Sequence, residues 1–129
     1  MSTDTTASVS THILDTSIGR PAGGVAVTLA ARGGSDAAWV ALGGSATDAD
    51  GRCKDLPALP EGTTHVRLDF ETETYFSKKQ AEAQQDAPRV RDSGAFFPEV
   101  AITFAVTPGE HYHVPLLLNP FGYSVYRGS

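Results

Sequence analysis

Two histidines near the end of the chain, in the run His111-Tyr112-His113, form its densest group of chemically capable side chains. In a strand, alternate residues project to the same face, so this pair could ligate a metal ion or supply a general base. An isolated pair of this kind is more often simply solvated, here as the cap of a hairpin after Pro108-Gly109. The nearby Pro115 has no N–H to donate to a sheet, which favours an edge strand or a bulge.

The other two histidines do not complete a metal site. Zinc would need third and fourth ligands, and neither His12 nor His65 stands at a familiar metal spacing from a carboxylate. We interpret His65, which flanks an amphipathic strand, as a surface residue. His12 alternates with Ile13, so if Ile13 faces the core, His12 faces solvent or a partner subunit. The sequence therefore predicts no metal.

A tight turn at Asp48-Ala49-Asp50-Gly51 is followed directly by Arg52. The planar guanidinium suits a carboxylate, a urea-like group or an oxyanion, although most such arginines are ordinary surface residues. The acidic turn is not a calcium loop, because the twelfth position counted from Asp48 is Leu59 and not the required glutamate. The neighbouring Cys53 is predicted to be a small buried residue and not a nucleophile, since nothing local would lower its pKa.

The final segment, 122–129, is unusual because two tyrosines and a valine alternate within it. This alternation is typical of a strand pinned into the fold or of an interface. A third interpretation is that Tyr126, Arg127 and Ser129 help to form the wall of a pocket.

Most apolar segments of the chain alternate with a period of two, which predicts strands with one buried face. The pattern is clear at 25–31, 66–70 and 100–106, and weaker at 8–15, 39–46, 112–118 and 123–127. Turn residues separate these segments, for example Pro108-Gly109. So many short strands predict an all-β fold, either a sandwich or a barrel.

One stretch, 73–85, departs from this alternation. It is rich in helix formers without glycine or proline, and predicts a short surface helix anchored by Tyr75, Phe76, Ala81 and Ala83. The charged stretch that follows, 86–94, is predicted to be a mobile loop.

The composition limits the classes of function. A chain of 129 residues with 40% hydrophobic residues predicts one globular domain, which we assign to 8–129 after a disordered tail at 1–7. A net charge of -5 disfavours nucleic acid and anionic membranes as partners, and a single cysteine excludes an internal disulfide. No apolar run approaches the ~20 residues of a membrane helix, and the polar first residues lack a signal sequence, so a cytoplasmic protein is expected.

Four blocks, taken together, resemble the transthyretin-like 5-hydroxyisourate hydrolases. The end of the chain, HYHVPLLLNPFGYSVYRGS, is similar to the family's C-terminal signature with its Tyr-Arg-Gly-Ser tetrapeptide. The other blocks are 10–16 with 19–22, 47–52 and 96–100. The resemblance implies a transthyretin-like (prealbumin-like) β-sandwich of two four-stranded sheets with one short helix. It further implies a homotetramer whose active sites lie in the channel between two dimers.

The same resemblance implies an activity, hydrolysis of 5-hydroxyisourate to 2-oxo-4-hydroxy-4-carboxy-5-ureidoimidazoline in urate degradation. The family's catalytic positions fall on His12, Arg52, His113 and the tetrapeptide from Tyr126 through Arg127 to Ser129. His12 and His113 are expected to bind and deprotonate water, while Arg52 holds the substrate and its developing negative charge. Tyr126 and Ser129 would orient the substrate or a histidine tautomer, and Arg127 is expected to bind the substrate. No cofactor is implied.

Two other functions stay open at this point. Transthyretin itself has this fold and carries hydrophobic hormones in its central channel, so the chain could be a carrier, and fold alone cannot decide. The histidines could also serve a zinc-binding structural module. A carrier, however, has no need for His12, Arg52, His113 and the terminal tetrapeptide together, which favours the hydrolase.

Overall fold

Alternating burial organises the chain into strands, as the period of two predicts. A computed structural model describes residues 6–83 and 95–128, which form nine strands and one helix. The elements, in chain order, are β1 (Ser8–Asp15), β2 (Arg20–Pro21), β3 (Ala26–Arg32), β4 (Val40–Ala46), β5 (Arg52–Cys53), β6 (His65–Phe70), α1 (Thr72–Ala83), β7 (Val100–Ala105), β8 (His111–Asn119) and β9 (Gly122–Val125). Every predicted strand and the predicted helix are present, with ends that differ by a residue or two.

The strands form two sheets. The first has the order β2-β1-β8-β9, with the short β5 also paired to β1, and the second has the order β4-β3-β6-β7. All neighbouring strands are antiparallel except β1 and β8, which run parallel. The predicted all-β sandwich of two sheets with one short helix is confirmed, and β5 adds a fifth strand to the first sheet.

The core lies between the two sheets and is built from the inward residue of each alternating pair. Ile13 and Leu116 come from the first sheet, and Val27, Leu68 and Phe70 come from the second. All five are fully buried. Burial of each such side chain stabilises the fold by about 1.5–3 kcal/mol. This packing holds the two sheets in a fixed relation, so the outward residues of β1 and β8 keep a defined geometry.

Helix α1 is attached at its first turn to the end of β1 and to the segment before β7. The Tyr75 hydroxyl donates to the buried carboxylate of Asp15, at 2.7 Å, and Tyr75 and Phe76 are both buried as predicted. The Glu73 N–H donates to the carbonyl of Pro98, at 2.9 Å, which satisfies one of the free donors at the helix start. The side chains of Ala81 and Ala83 lie outside the described residues.

Two sequence predictions concern segments that lie wholly or partly outside the described residues. Within the predicted tail, Thr6 accepts a hydrogen bond from the Gly109 N–H at 3.0 Å and Ala7 is buried, whereas 1–5 lie outside the described residues. The loop predicted at 86–94 also lies outside them. The helix of the described chain is neither long nor apolar enough to cross a membrane.

Candidate active site

The outward face of β1 and β8 carries the histidines that the sequence singled out. Ile13 is fully buried and His12, its neighbour, is half-buried on the opposite face, as predicted. The parallel register sets Ser10 opposite His113 and His12 opposite Pro115. Since paired residues share a face, His12, His111 and His113 all project from this one surface, which we call the histidine face.

The short strand β5 brings Arg52 to the histidine face. It pairs antiparallel with β1 so that Arg52 lies directly opposite His12. The turn before it is held by Asp48, whose carboxylate accepts from the N–H of Arg52 at 3.0 Å and from that of Asp50 at 2.9 Å. The Arg52 N–H is the main reason that the pKa of the Asp48 carboxyl is below its ordinary value. The ionised Asp48 carboxylate therefore holds the turn, and the turn fixes the backbone from which the Arg52 side chain extends.

Gly51 is required at the end of that turn. Its φ is +76°, and a Cβ there would lie 2.4 Å from the carbonyl oxygen of Ile13. No L-residue with a side chain fits so close to β1 without moving the strand. Gly51 thereby allows the turn to lie against β1 and deliver Arg52 next to His12.

The rings of His12 and His113 lie close together, with centroids 6.5 Å apart and planes inclined by 35°. Both side chains are half-buried, while the Arg52 side chain is exposed. Among the described residues, no ion pair engages the Arg52 guanidinium. Two imidazoles and a free guanidinium thus face one small volume, where they can bind a water molecule and an oxyanion together.

The environment of His113 favours its neutral form. Partial burial is the main cause that lowers its pKa from the ordinary value, and the positive charges of His12, His111 and Arg52 act in the same direction. A neutral imidazole is the form that can accept a proton from water. His113 is therefore the histidine best suited to act as a general base.

Two serines that are hydrogen-bonded to His111 and His113 were not predicted from the sequence. The Ser10 hydroxyl is hydrogen-bonded both to Nδ1 of His113, at 2.9 Å, and to Nε2 of His111, at 2.9 Å. Ser8 is bonded in turn to Nδ1 of His111, at 2.6 Å. The alternation of Ser8, Ser10 and His12 along β1 signals a shared polar face, but only the parallel register with β8 pairs these serines with histidines.

The C-terminal segment continues beyond β9 along the edge of β8. The Tyr126 N–H donates to Pro115 O at 3.4 Å and the Gly128 N–H to His113 O at 2.8 Å, in the same register as the β8–β9 pairing. Pro115 has no N–H to return the bond to Tyr126, so β9 ends there. The prediction of an edge strand or bulge at Pro115 is therefore wrong, because β8 is an internal strand. The proline removes one hydrogen bond from the pairing, whose register continues on both sides of it.

Gly128 packs directly against the His113 ring. A Cβ at this position would lie 2.9 Å from Cδ2 of His113 and 3.1 Å from Cγ of Pro115. Such distances are shorter than normal van der Waals contacts, so any side chain would displace the tail or the ring. The glycine of the terminal tetrapeptide thus permits the chain to cover one side of His113.

The described tail residues before Gly128 project to opposite faces of the sheet. Tyr126 lies opposite Pro115 and is 56% exposed on the histidine face. The Arg127 guanidinium lies instead over the Tyr112 ring, 4.6 Å from its centroid, and pairs with Glu110 at 3.3 Å. Within the protomer, Arg127 is therefore not brought together with His12, Arg52 and His113, and Ser129 lies outside the described residues.

Cys53 takes no part in this site. It is 1% exposed, and burial is the main cause that raises the pKa of its thiol. The prediction of a small buried residue is confirmed. Across 6–83 and 95–128, no three or more histidine, cysteine, aspartate or glutamate side chains converge as ligands for a metal ion.

The fold and the histidine face together define a two-sheet β-sandwich protein of the transthyretin type, with a histidine and arginine site on an outer sheet face. The chain belongs to the HIUase/Transthyretin family, whose model matches residues 9–128.

Three comparisons illustrate the relationship. The 5-hydroxyisourate hydrolase of Salmonella typhimurium is 41% identical over 123 residues, covering 94% of this chain and 80% of the relative. The structure of Klebsiella pneumoniae 5-hydroxyisourate hydrolase superimposes with a TM-score of 0.70 at 34% identity, covering 95% of this chain and 99% of that one. Transthyretin from Sparus aurata gives a TM-score of 0.70 at 27% identity, with 93% and 95% covered.

A larger protein also contains this fold. The structure of (S)-allantoin synthase matches with a TM-score of 0.76 and 29% identity, covering 100% of this chain and 46% of the larger one. The chain thus spans about half of that relative.

Proposed function

We propose that this protein is a 5-hydroxyisourate hydrolase. The observation that carries the proposal is the meeting of His12, His113 and Arg52 on one sheet face, with the two rings 6.5 Å apart and the guanidinium free of ion pairs among the described residues. The names of the Salmonella and Klebsiella relatives give the substrate. A carrier of apolar ligands would gain nothing from these three polar groups.

The proposed reaction starts with a water molecule held between the two imidazoles. His113 accepts a proton from the water, and the resulting hydroxide attacks the carbonyl carbon of the ring amide. Negative charge develops on the carbonyl oxygen, where Arg52 stabilises it. The protonated imidazole then gives its proton to the departing ring nitrogen, and the carbon–nitrogen bond breaks to leave a carboxylic acid, which loses its proton to solvent and becomes a carboxylate. So written, the step uses neither a metal nor an organic cofactor.

Other residues take supporting roles in this proposal. His12 orients the water molecule, and Tyr126, which is exposed on the same face, contacts the substrate. Ser129, which lies outside the described residues, is proposed to orient the substrate as well. Arg127 has no path to the substrate within its own protomer, because its guanidinium is occupied by Tyr112 and Glu110.

We also propose that the active unit is a homotetramer. Among the described residues, strand β9 has a neighbour in its sheet on one side only, and large aromatic side chains near it are exposed: Phe121 by 79%, Phe96 by 71% and Tyr126 by 56%. An open sheet edge beside exposed aromatic rings is typical of an interface. Static light scattering of the purified protein measures the mass in solution, and a monomer would overturn the tetramer.

A direct assay tests the activity. 5-Hydroxyisourate is unstable, so it is generated in the cuvette from urate and urate oxidase, and its ultraviolet absorbance is followed after this protein is added. The proposal predicts a decay faster than the spontaneous rate and proportional to protein concentration. An unchanged decay rate overturns it, whereas an acceleration that a metal chelator abolishes would overturn the metal-free mechanism.

The pH dependence of kcat/KM should reflect the general base. Because partial burial, His12, His111 and Arg52 all lower the pKa of His113, the neutral base persists below the ordinary histidine value of 6.5. Activity is therefore expected to fall on acidification with a midpoint below 6.5, and to stay level above it until another group titrates. Initial rates over a pH series at constant ionic strength measure this midpoint, and a midpoint above 6.5 would contradict the assignment.

Replacing Gly128 by alanine is expected to lower kcat by about 10- to 100-fold, since displacing a catalytic group by ~1 Å costs roughly 10²-fold. The reason is the 2.9 Å approach of a Cβ to Cδ2 of His113. Gly122→Ala is the matched control, because a Cβ there meets only Asn119 Oδ1 at 3.9 Å. Both variants should melt within a few degrees of the parent. Equal activity of the two would contradict a role for the tail.

A further inference from the structure

Behind His113, three side chains continue from its ring as a hydrogen-bonded chain that the proposed reaction does not use. It runs from His113 Nδ1 to Ser10 Oγ at 2.9 Å, from Ser10 Oγ to His111 Nε2 at 2.9 Å, and from His111 Nδ1 to Ser8 Oγ at 2.6 Å. His111 is exposed, whereas Ser10 and His113 are half-buried. The chain therefore connects the site to the surface.

The Ser10 hydroxyl can donate to only one of the two rings. It has a single proton, so at least one of the two imidazole nitrogens must carry a hydrogen and donate it to Ser10. If His111 Nε2 accepts the proton, His113 Nδ1 must carry a hydrogen and donate it to Ser10. In the reverse arrangement Ser10 donates to His113 Nδ1, and the hydrogen of His113 lies on Nε2.

We propose that Ser10 and His111 are positioning residues that hold the hydrogen of His113 on Nδ1 and leave Nε2 free to act as the base. Among the described residues, no group is hydrogen-bonded to His113 Nε2, so this nitrogen is available to a water molecule. The inference rests on the proposed function, because it assigns the reacting nitrogen of that reaction.

The direction of the chain follows from what His113 must do next. When Nε2 takes a proton from water, the ring becomes an imidazolium whose Nδ1–H already donates to Ser10. The network then stabilises the new charge without rotation of the serine, which is the advantage of a preorganised environment. In the opposite direction, Nε2 would already carry a hydrogen and could not serve as a base.

His111 is compatible with this direction at the other end. When its hydrogen is on Nδ1, that hydrogen is donated to Ser8 Oγ and Nε2 is left as the acceptor for Ser10. The groups that act electrostatically on His113 are His12, His111 and Arg52. Among the described side chains, Ser10 is the one that is hydrogen-bonded to His113 Nδ1.

The first test reads the tautomer without any substrate. In ¹⁵N-labelled protein, two-dimensional NMR spectra correlate the ring nitrogens with the carbon-bound hydrogens of the imidazole. These spectra distinguish a protonated from an unprotonated imidazole nitrogen. The parent is expected to hold the hydrogen of neutral His113 on Nδ1. In Ser10→Ala, most of the signal should move to the Nε2-protonated form, which free imidazoles prefer. A parent ring protonated on Nε2, or a tautomer unmoved by Ser10→Ala, overturns the proposal.

The second test is kinetic. Ser10→Ala should lower kcat about tenfold at unchanged KM, part of the roughly 10²- to 10⁴-fold that a general base contributes. Ser10→Thr, which keeps the hydroxyl, should restore both the rate and the tautomer. His111→Ala should resemble Ser10→Ala, because the serine proton is then released to His113, and His111→Gln should recover part of the rate through its amide oxygen.

Matched controls separate the network from folding and from the function itself. Thr28→Ala removes an exposed hydroxyl from β3 in the other sheet and should change neither readout. A loss of kcat in Ser10→Ala that Ser10→Thr does not restore would overturn the positioning role. If the parent shows the expected tautomer but does not hydrolyse 5-hydroxyisourate, the network is supported and the proposed function is overturned.

Discussion

Replacing His113 by alanine is expected to reduce kcat for 5-hydroxyisourate by roughly 10²- to 10⁴-fold, the usual contribution of a general base. The ring is bonded to Ser10 and packed against Gly128, which fixes its position near the His12 ring. KM should change little, because the proposed mechanism assigns binding of the substrate's charge to Arg52. Stopped-flow decay of freshly generated substrate measures both constants.

The fold of this variant is expected to survive. His113 is half-buried on an outer face, and the inward residues of β8, such as Val114 and Leu116, are unchanged. His65→Ala is the matched control: it removes a half-buried histidine from the other sheet, where the ring is hydrogen-bonded to Thr64 Oγ1, at 2.7 Å. A control as slow as His113→Ala, or a fully active His113→Ala, would contradict the role of His113.

Replacing Arg52 by alanine is expected to cost roughly 10²- to 10³-fold in kcat, the effect of removing one donor to a developing oxyanion. Arg52 lies opposite His12, and its guanidinium has no ion pair among the described residues, so it is available to bind the substrate. Since Arg52 also holds the ground-state substrate, KM should rise. Activity should not recover with added metal ions.

Two further variants define what Arg52 supplies. Lysine keeps the charge but not the planar pair of donors, so Arg52→Lys should recover only part of the lost rate. Arg20→Ala removes an exposed arginine from β2 in the same sheet and should leave both constants unchanged. If Arg20→Ala and Arg52→Ala were equally slow, a general effect of net charge would explain the loss and Arg52 would have no specific role.

Much of the fold could be predicted because burial follows a simple period. The alternation of Val66, Leu68 and Phe70 is that of a strand with one face against another sheet, and the structure has β6 there with those three residues buried. The turn at Asp48 to Gly51 and the helix after Phe70 are local features with local causes. For the same reason, alternation with Ile13 correctly predicted the outward direction of His12.

The partners of the site could not be found in this way, because they depend on register between distant strands. Nothing local indicates that Ser10 pairs with His113, and a shift of one residue would exchange the faces of the whole strand. The position of Arg127 could not be predicted for a different reason. Tyr126 and Arg127 are adjacent in an extended segment, so they cannot both project toward His113. A tetrapeptide motif that is transferred as one unit does not show this constraint.

The parallel pairing of β1 with β8 also governs how the protein can be made. Ser10 and His113 are 103 residues apart, so the site cannot assemble until almost the whole chain has been synthesised. Such non-local contacts slow folding, often to milliseconds or seconds, because loop-closure entropy is lost before they form. Until then β1 lacks its parallel neighbour and is open to mispairing. Catalytic competence therefore requires that the C-terminal region fold correctly, since truncated or stalled chains contain His12 and Arg52 but not the base beside them.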